Sequence, residues 1–481
     1  MTKTFRKEKS FKDKKLRYAE YYGMTEIFDD LYKKSSDGSS FKNLMKLITS
    51  QDNILLAYRM IKRNSGSTTK GVDGVTIKDL EKLSTEHFLA KVQKRFDFYT
   101  PRKVRRVEIP KPNGKTRPLG IPSMWDRVAQ QCILQVLEPI YEAKFNKHSY
   151  GFRPLRSTDN AIQDCMYRIN QSHMQYVVDV DIKGFFDEVN HTKLMRQIWT
   201  MGIRDKQLLV ILRKMLKAPI AYPNGTIEIP TKGTPQGGIL SPLLSNICLN
   251  ELDWWVAYQW EERECRELVP QFNSKGTRHK SHDYRKLRSK TTLKEIYLIR
   301  YADDFKIFCR SRNEAERTYH AVKLWLKERL HLPISEEKSK ITNLKKKSSE
   351  FLGFTLKMVR KQNRFVCYSH VSPKAKQRIK QQLKDQMKEI QHKKSKITKL
   401  RTLQKYNSMV IGIHNYYSKA THVSKDFESI GFELYRSFYN RYKENGLTKT
   451  GEYRGNDKGI LAYMESKSIR YLLGYPILPI G

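Results

Sequence analysis

The sequence predicts an α+β fold in which antiparallel strands and helices precede a wholly helical region. Two apolar runs, 296–299 and 305–308, flank Tyr301-Ala302-Asp303-Asp304, which is the pattern of a β-hairpin. Apolar and acidic side chains alternate along residues 178–182 of the run 176–182, as in a strand with one buried face. From Pro373 onward, apolar residues recur every three or four positions among many lysines, which is typical of amphipathic helices.

Composition limits the classes of protein to consider. The chain has 481 residues, enough for several domains, and 92 Lys and Arg against 50 Asp and Glu give it a net charge of +42. Such an excess calls for a polyanionic partner. The sequence has no run of eighteen apolar residues and no apolar signal segment, which excludes a membrane span and predicts a protein of the bacterial cytoplasm. The cysteines form no CxxC pair and are predicted to be reduced core thiols.

The first part of the chain is predicted to be a basic arm over residues 1–40. Helical spacing covers 41–63 and, after a loop at 64–74, continues to about residue 98. Residues 104–122 carry a Pro-Asn-Gly turn between two strands, crowded with basic side chains. That cluster is either a solvated hairpin or a phosphate clamp.

The middle of the chain combines strand ends with glycine-rich turns. In the strand at 176–182, Asp179 and Asp181 share one face, and either could be a mere edge charge. Asn190 is predicted to cap the next helix. The turn at 233–242 is rich in Gly and Pro, so its backbone is either a plain tight turn or a close approach to a ligand.

A polar, basic stretch at 261–294 interrupts this pattern and is predicted to be a surface insertion. Its histidines, His279 and His282, lack spaced Cys or acidic partners and are not expected to bind metal.

Asp303 and Asp304 place two carboxylates side by side between apolar runs. Like charges in an apolar setting repel each other, and a hard divalent cation with oxygen ligands is the usual relief. A solvated turn is the alternative, because Asp is common in turns. From 373 to 403, lysines crowd an amphipathic helix, and aromatic and basic residues mix in 432–442, a composition suited to phosphates and unpaired bases.

Seven motifs occur in order along the chain. They are VEIPKPNGKTRPLGIP, SYGFRPLRS, VDVDIKGFFDEVNH, GTPQGGILSPLLSN, RYADDF, EEKSKI and FLGF. Together they resemble the reverse transcriptase blocks of group II intron-encoded proteins, and the helical region after 372 resembles the maturase, or thumb, domain of that family. The resemblance covers about residues 41–445.

The resemblance implies a right-hand polymerase. Its fingers would begin with a helical extension at 41–100, and fingers and palm would span 101–360, including the insertion at 261–294. The thumb would follow at 361–445, and a short tail would occupy 446–481.

The resemblance also implies the reaction and the residues that carry it. The expected activity is RNA-directed DNA polymerisation with two Mg²⁺ ions, which Mn²⁺ could replace. The expected metal ligands are Asp181, Asp303 and Asp304, and Lys338 is a candidate general acid. The expected nucleotide-binding residues are Lys111, Arg117, Phe186 and Gln236, with Phe186 as the gate against ribonucleotides. The expected template and primer contacts are Arg153, Gly237, Gly238, Phe351, Leu352 and Gly353. The expected RNA-binding lysines are Lys376, Lys380, Lys384 and Lys388.

The implied partners are group II intron RNA, an RNA template with a DNA primer, deoxynucleoside triphosphates and target DNA, in splicing and retrohoming. The family's zinc-stabilised HNH endonuclease motif is not found, so strand cleavage is not expected. Two other functions stay open: a related polymerase recruited to phage defence or repair, and a splicing-only RNA-binding protein. Pairing of two copies is also left open.

Overall fold

The structure is a computed structural model. It describes residues 18–110, 114, 116–235, 237–263, 272–274, 276, 280–444, 446–453, 455, 458–466 and 469–481.

Short N-terminal helices pack on one long helix. They are α1 (Thr25–Ser36), α2 (Leu44–Ile48), α3 (Gln51–Arg63), α4 (Ile77–Leu80) and α5 (Thr85–Asp97), and the long helix is α6 (Met124–Glu142). The side chain of Ser50 caps α3, which divides the helical stretch predicted at 41–63. Because α1 packs on α6, the predicted basic arm is wrong from residue 18 onward. Residues 1–17 lie outside the described residues.

The basic hairpin predicted at 104–122 is confirmed. Strands β1 (Val104–Pro110) and β2 (Thr116–Ile121) pair antiparallel, and Val107 faces Leu119. The short strands β4 (Ile220–Ala221) and β5 (Ile227–Glu228) extend this sheet in the order β2-β1-β4-β5.

The central sheet carries the predicted strand and the predicted Asp-Asp hairpin. Its strands are β3 (Tyr176–Val180), β6 (Ile296–Tyr301), β7 (Asp304–Cys309) and β8 (Lys340–Asn343), in the order β6-β7-β3-β8. All neighbouring strands run antiparallel. Val178 and Val180 are buried in the core, as their alternation predicts.

Helices surround this sheet, and both of its faces are buried. The helices are α7 (Thr158–Asn170), α8 (Phe185–Glu188), α9 (His191–Thr200), α10 (Lys206–Leu216), α11 (Ser241–Gln259) and α13 (Arg312–Trp325). Helix α13 ends in a π-helical turn at Leu326–Leu330. Asn190 caps α9 as predicted, accepting a hydrogen bond from the backbone N–H of Lys193 at 2.9 Å.

The basic insertion is more ordered than its composition predicts. Helix α12 (Lys280–Lys290) buries Leu287, and Tyr284 stacks on Trp260 with 5.7 Å between ring centroids. Residues 280–290 of the predicted surface insertion are therefore anchored to the core. Its residues 264–271, 275 and 277–279, including His279, lie outside the described residues.

A three-stranded antiparallel sheet leads into the C-terminal helices. Its strands are β9 (Ser349–Phe351), β10 (Phe354–Lys361) and β11 (Arg364–Val371), and the helices are α14 (Pro373–His392), α15 (Lys396–Tyr417) and α16 (Val423–Tyr442). The predicted apolar stripe is buried along α14, at Ile379, Leu383, Met387 and Ile390. It is interrupted at Ile397, which is 66% exposed, and resumes at Leu403, which is buried in α15.

The last residues fold back onto these helices instead of forming a simple tail. They comprise β12 (Leu447–Thr448), α17 (Lys458–Ser466), β13 (Arg470–Leu472) and β14 (Tyr475–Ile477). The amide of Asn407 in α15 donates to the Pro476 carbonyl at 2.9 Å and accepts from the Leu478 N–H at 3.0 Å. Ile477, Leu478 and Ile480 are buried. Within the described ranges, no helix combines the length and apolarity that crossing a bilayer needs.

Candidate active site

The three predicted metal ligands line one cleft of about 550 Å³. Asp181 follows the last residue of β3, Asp303 sits in the β6–β7 turn, and Asp304 begins β7. The β9–β10 turn and Lys374 of α14 also line the cleft. The lining residues are Asp179, Val180, Asp181, Asp303, Asp304, Lys306, Lys338, Lys340, Glu350, Phe351, Leu352, Gly353 and Lys374. Residues more than a hundred positions apart therefore meet as the sequence predicts.

The electrostatics of the cleft disfavour three bare carboxylates. Burial raises the pKa of Asp304 to about 6; the Lys306 ammonium opposes that rise, and the neighbouring carboxylates add to it. Burial also raises the pKa of Asp303, and the charge of Asp181 adds to the rise while Arg117 opposes it. A bound cation would relieve this repulsion.

The turn that presents these carboxylates depends on residues that sequence reasoning missed. Ala302 has a left-handed φ of 60°, and a Cβ on Gly151 would lie 2.3 Å from the Ala302 nitrogen. Arg300 is fully buried and donates to the Ala302 carbonyl at 2.7 Å. Its guanidinium also binds both carboxylate oxygens of Asp253 in α11, at 2.7 and 2.6 Å. The sequence did contain one signal: Arg300 stands in the otherwise apolar strand β6, and a buried arginine needs an acidic partner.

A second buried ion pair lies beneath the carboxylates. Lys306 and Asp179 face each other across β7 and β3, and their side chains form a salt bridge. The Lys306 ammonium also donates to the Ser349 hydroxyl at 2.9 Å, which joins the central sheet to β9. Asp179 is therefore engaged in the sheet, which leaves Asp181 as the acid at the strand end.

Lys338, the candidate general acid, is bound to Asp181. Its ammonium donates to Oδ2 of Asp181 at 3.1 Å, and its side chain is 69% exposed. Among the described residues, no three Asp, Glu, His or Cys side chains are close enough together to enclose an ion as they stand. The donor set suits a hard cation, since it consists of carboxylate oxygens.

Two of the four predicted nucleotide-binding residues, Arg117 and Phe186, are described by the structure, and neither lines the cleft itself. Arg117 is exposed on β2, and its charge reaches Asp303. Phe186 is partly buried against the core, and its carbonyl accepts from the Thr234 N–H at 2.6 Å. Lys111 and Gln236 lie outside the described residues.

The glycine turn after β5 packs against the fingers hairpin. Gly237 has a φ of 105°, and a Cβ there would lie 2.6 Å from the Gly120 carbonyl of β2. Gly238 lies beside Gln130 of α6, which accepts the next N–H, that of Ile239, at 2.8 Å. The turn is thus held close to the hairpin that carries Arg117.

Phe351, Leu352 and Gly353, predicted to hold the primer, line the cleft at the β9–β10 turn. Leu352 and Gly353 both have positive φ, 51° and 82°. The Tyr416 hydroxyl of α15 donates to the Leu352 carbonyl at 2.9 Å. The C-terminal helices therefore brace this turn directly.

Arg153 does not face the cleft, which corrects its assignment to the template. Its side chain is 2% exposed and binds both carboxylate oxygens of Glu142, at 2.8 and 2.7 Å. It also donates to the carbonyls of Asn146 and Ser149, each at 2.6 Å. This arginine stabilises its own loop.

The four predicted RNA-binding lysines divide into two pairs. Lys376 and Lys380 face α16, where they bind Asp426 and Glu433, and this contradicts their assignment to RNA. Lys384 is half-buried and Lys388 is exposed, and neither forms an ion pair with a described residue. Only the second pair remains available for phosphates.

Comparison with known proteins identifies the chain's family. A family model described as reverse transcriptase (RNA-dependent DNA polymerase) matches residues 109–356, just over half of the chain. The chain belongs to the reverse transcriptase family. Its matched region contains β2, the whole central sheet and the three cleft carboxylates.

Relatives narrow the type of reverse transcriptase. Protein YkfC of Escherichia coli (strain K12) is 32% identical over 329 residues, which cover 67% of this chain and 84% of the relative. Group II intron-encoded protein LtrA of Lactococcus lactis subsp. cremoris is 29% identical over 461 residues, 84% of this chain and 74% of the relative. A putative COX1/OXI3 intron 2 protein of Saccharomyces cerevisiae is 32% identical over 345 residues, 66% of this chain and 39% of the relative. The protein is a reverse transcriptase of the group II intron-encoded type, and it is an RNA-directed DNA polymerase. Reverse transcriptases use divalent metal ions.

Proposed function

We propose that this reverse transcriptase extends a DNA primer on an RNA template with Asp181, Asp303 and Asp304 as the metal ligands. The observation that carries the proposal is the convergence of these carboxylates, from two strand ends, on one cleft with Phe351 and Gly353 opposite. Magnesium ions held there would activate the primer hydroxyl and stabilise the leaving oxygen, and manganese could replace them.

The protein's own residues hold the reactants. Arg117 is suited to the triphosphate of an incoming deoxynucleotide, because a guanidinium binds phosphate oxygens in a bidentate fashion. The β9–β10 turn, braced by Tyr416, would support the primer end. Phe186 would exclude a ribose 2′-hydroxyl, and the turn at Gly237 and Gly238 would lie along the template.

Lys338 holds Asp181 through its ammonium. We infer that the carboxylate exchanges this lysine for a metal ion when the substrates bind. An ammonium released beside the cleft is then available to protonate the departing pyrophosphate.

We further propose that the helical thumb binds intron RNA and supports splicing and retrohoming. Phe432, Tyr435 and Tyr439 are 75%, 49% and 47% exposed along one side of α16, where they could stack on unpaired bases. The Arg470 guanidinium lies 5.9 Å from the Tyr435 ring centroid. Lys384 and Lys388 would bind phosphates nearby on α14.

The test uses purified protein, a primed RNA template, deoxynucleotides and Mg²⁺. We expect cDNA from the wild type and none from the Asp303→Ala, Asp304→Ala double variant, while both bind intron RNA. The Asp97→Ala variant, on α5, is the matched control and should polymerise normally. Synthesis by the double variant would contradict the site. Absence of synthesis from the wild type under these conditions, with intron RNA binding intact, would favour a splicing-only protein.

A further inference from the structure

A groove lies between α9 and α10, and none of its residues lines the catalytic cleft. We call it the α9–α10 groove, and its volume is about 670 Å³. Residues 229–231, which follow β5, close one side of it. The lining residues are His191, Thr192, Met195, Arg196, Trp199, Thr200, Leu209, Val210, Arg213, Lys217, Ile229, Pro230 and Thr231. Pockets of this size accommodate small organic groups such as a nucleobase.

The groove exposes large apolar side chains that a folded protein normally buries. Trp199 is 43% exposed, Val210 54% and Ile229 65%. Single exposed apolar residues are common, but several in one concave site indicate a surface that a partner covers.

All the charged side chains of the groove are positive. Arg196, Arg213 and Lys217 are exposed, and none forms a salt bridge with a described residue. Among the described residues, no Asp or Glu lines the groove. Just beside it, the Arg204 guanidinium lies 4.1 Å from the Trp199 ring centroid. The groove is therefore complementary to an anionic partner with flat apolar parts.

The groove adjoins the turn expected to follow the template. His191 lines it and donates from Nε2 to the Gly233 carbonyl at 2.6 Å. Thr231, which also lines the groove, precedes Gly237 and Gly238 by only a few residues. A strand held in the groove would thus lie beside this turn.

We propose that the α9–α10 groove binds an unpaired segment of RNA outside the copied region. Trp199 would stack on a base, while Arg196, Arg213 and Lys217 would bind the flanking phosphates. The proposal rests on the proposed RNA-binding function and assigns it a second site. A second copy of this chain is a poor occupant, because each copy carries a net charge of +42 and the groove itself is positive.

The experiment measures binding of a short uridine-only RNA, which has no stable pairing, at several salt concentrations. Trp199→Ala should weaken binding about tenfold or more, and Trp199→Phe should restore most of it, because one stacked base is lost and then regained. Arg196→Ala with Arg213→Ala should lower the slope of log K against log salt by about 1.4, that is, two single-strand phosphate contacts.

The matched control is Arg63→Ala with Lys94→Ala, which removes two exposed, unpaired positive charges elsewhere. Its slope should fall by less than one contact, about 0.7. Polymerisation on a primed template without unpaired RNA beyond the copied nucleotides should be unchanged in the Trp199→Ala variant. If the wild type did not polymerise at all, that result would contradict only the proposed active site, because RNA binding is measured in a separate experiment.

Results of three kinds would overturn the proposal. One is uridine-only RNA binding by Trp199→Ala equal to that of the wild type, or arginine variants no different from the control pair. Another is unchanged RNA binding together with a shift in sedimentation from dimer to monomer, which would make the groove an interface between copies. Capture of an acidic protein lost in Trp199→Ala, with RNA binding intact, would equally assign the groove to a protein partner.

Discussion

At the scale of single residues, the geometry of the catalytic turn depends on one close approach. The chain at Gly151 passes so near the Asp-Asp turn that a Cβ would lie 2.3 Å from the Ala302 nitrogen and 2.9 Å from the Tyr301 carbonyl carbon. Both neighbours are backbone atoms, so neither can rotate away as a side chain could. Position 151 therefore needs a glycine because a Cβ does not fit there, and not because of its own backbone angles.

Gly151→Ala should therefore displace the turn that carries Asp303 and Asp304. We expect a loss of about 1–3 kcal/mol in the free energy of unfolding, as in other overpacked sites, and a large loss of polymerase activity. Urea unfolding and primer extension measure the two effects. Gly412→Ala on α15 is the control, because a Cβ there meets nothing within 4 Å; it should raise stability by about 0.5–1 kcal/mol. Full activity in Gly151→Ala would contradict this account of the turn.

At the scale of elements, buried ion pairs join strands that the hydrophobic pattern alone would leave loosely aligned. Lys306 and Asp179 are 3% and 13% exposed and lie directly opposite each other in β7 and β3. The hydrogen bond to Ser349 brings β9 into the same contact. The pair thus links the strand ends that carry Asp181 and Asp304 to the strand that precedes the β9–β10 turn.

Lys306→Met should be strongly destabilising, since it leaves the Asp179 carboxylate without its buried partner. The expected cost is about 3–5 kcal/mol in the free energy of unfolding. Adding Asp179→Asn should recover most of it, because the uncompensated charge is then gone. Chemical denaturation of both single variants and the double variant forms the test. Purely additive effects would show that the two side chains do not interact.

At the scale of the whole molecule, the net charge of +42 is distributed unevenly between contacts within the protein and surfaces open to a partner. Lys376 binds Asp426, which is 3% exposed, so its charge is used inside the thumb. Lys388 has no such partner among the described residues. Position in the fold, and not the number of lysines, decides which charges are available for RNA.

Replacing Lys384 and Lys388 by Ala should weaken intron RNA binding and lower its salt slope by up to about one unit per lost phosphate contact. Thermal stability should hardly change. Lys376→Ala should do the opposite and lower the melting temperature, because it removes the ammonium that neutralises the buried Asp426 carboxylate. Filter binding at several salt concentrations and thermal unfolding distinguish the two outcomes. An unchanged salt slope in the first variant would remove α14 from the RNA-binding surface.

The sequence by itself determined the local elements and the strand ends that carry the three carboxylates. Alternating and helical periodicities are properties of neighbouring residues, so the strand at 176–182, the hairpin around Asp303 and Asp304, and the buried stripe of α14 were predictable. The ordered motifs likewise predicted the reverse transcriptase fold.

Only the tertiary structure decided which charged residues are enclosed and which face a ligand. Arg153 binds Glu142 and Lys376 binds Asp426, although both read as exposed cations in the sequence. The C-terminal residues that read as a tail are packed, and the α9–α10 groove joins residues from separate segments. Burial and ion pairing depend on partners that are distant along the chain, and a local pattern of residue types carries no information about them.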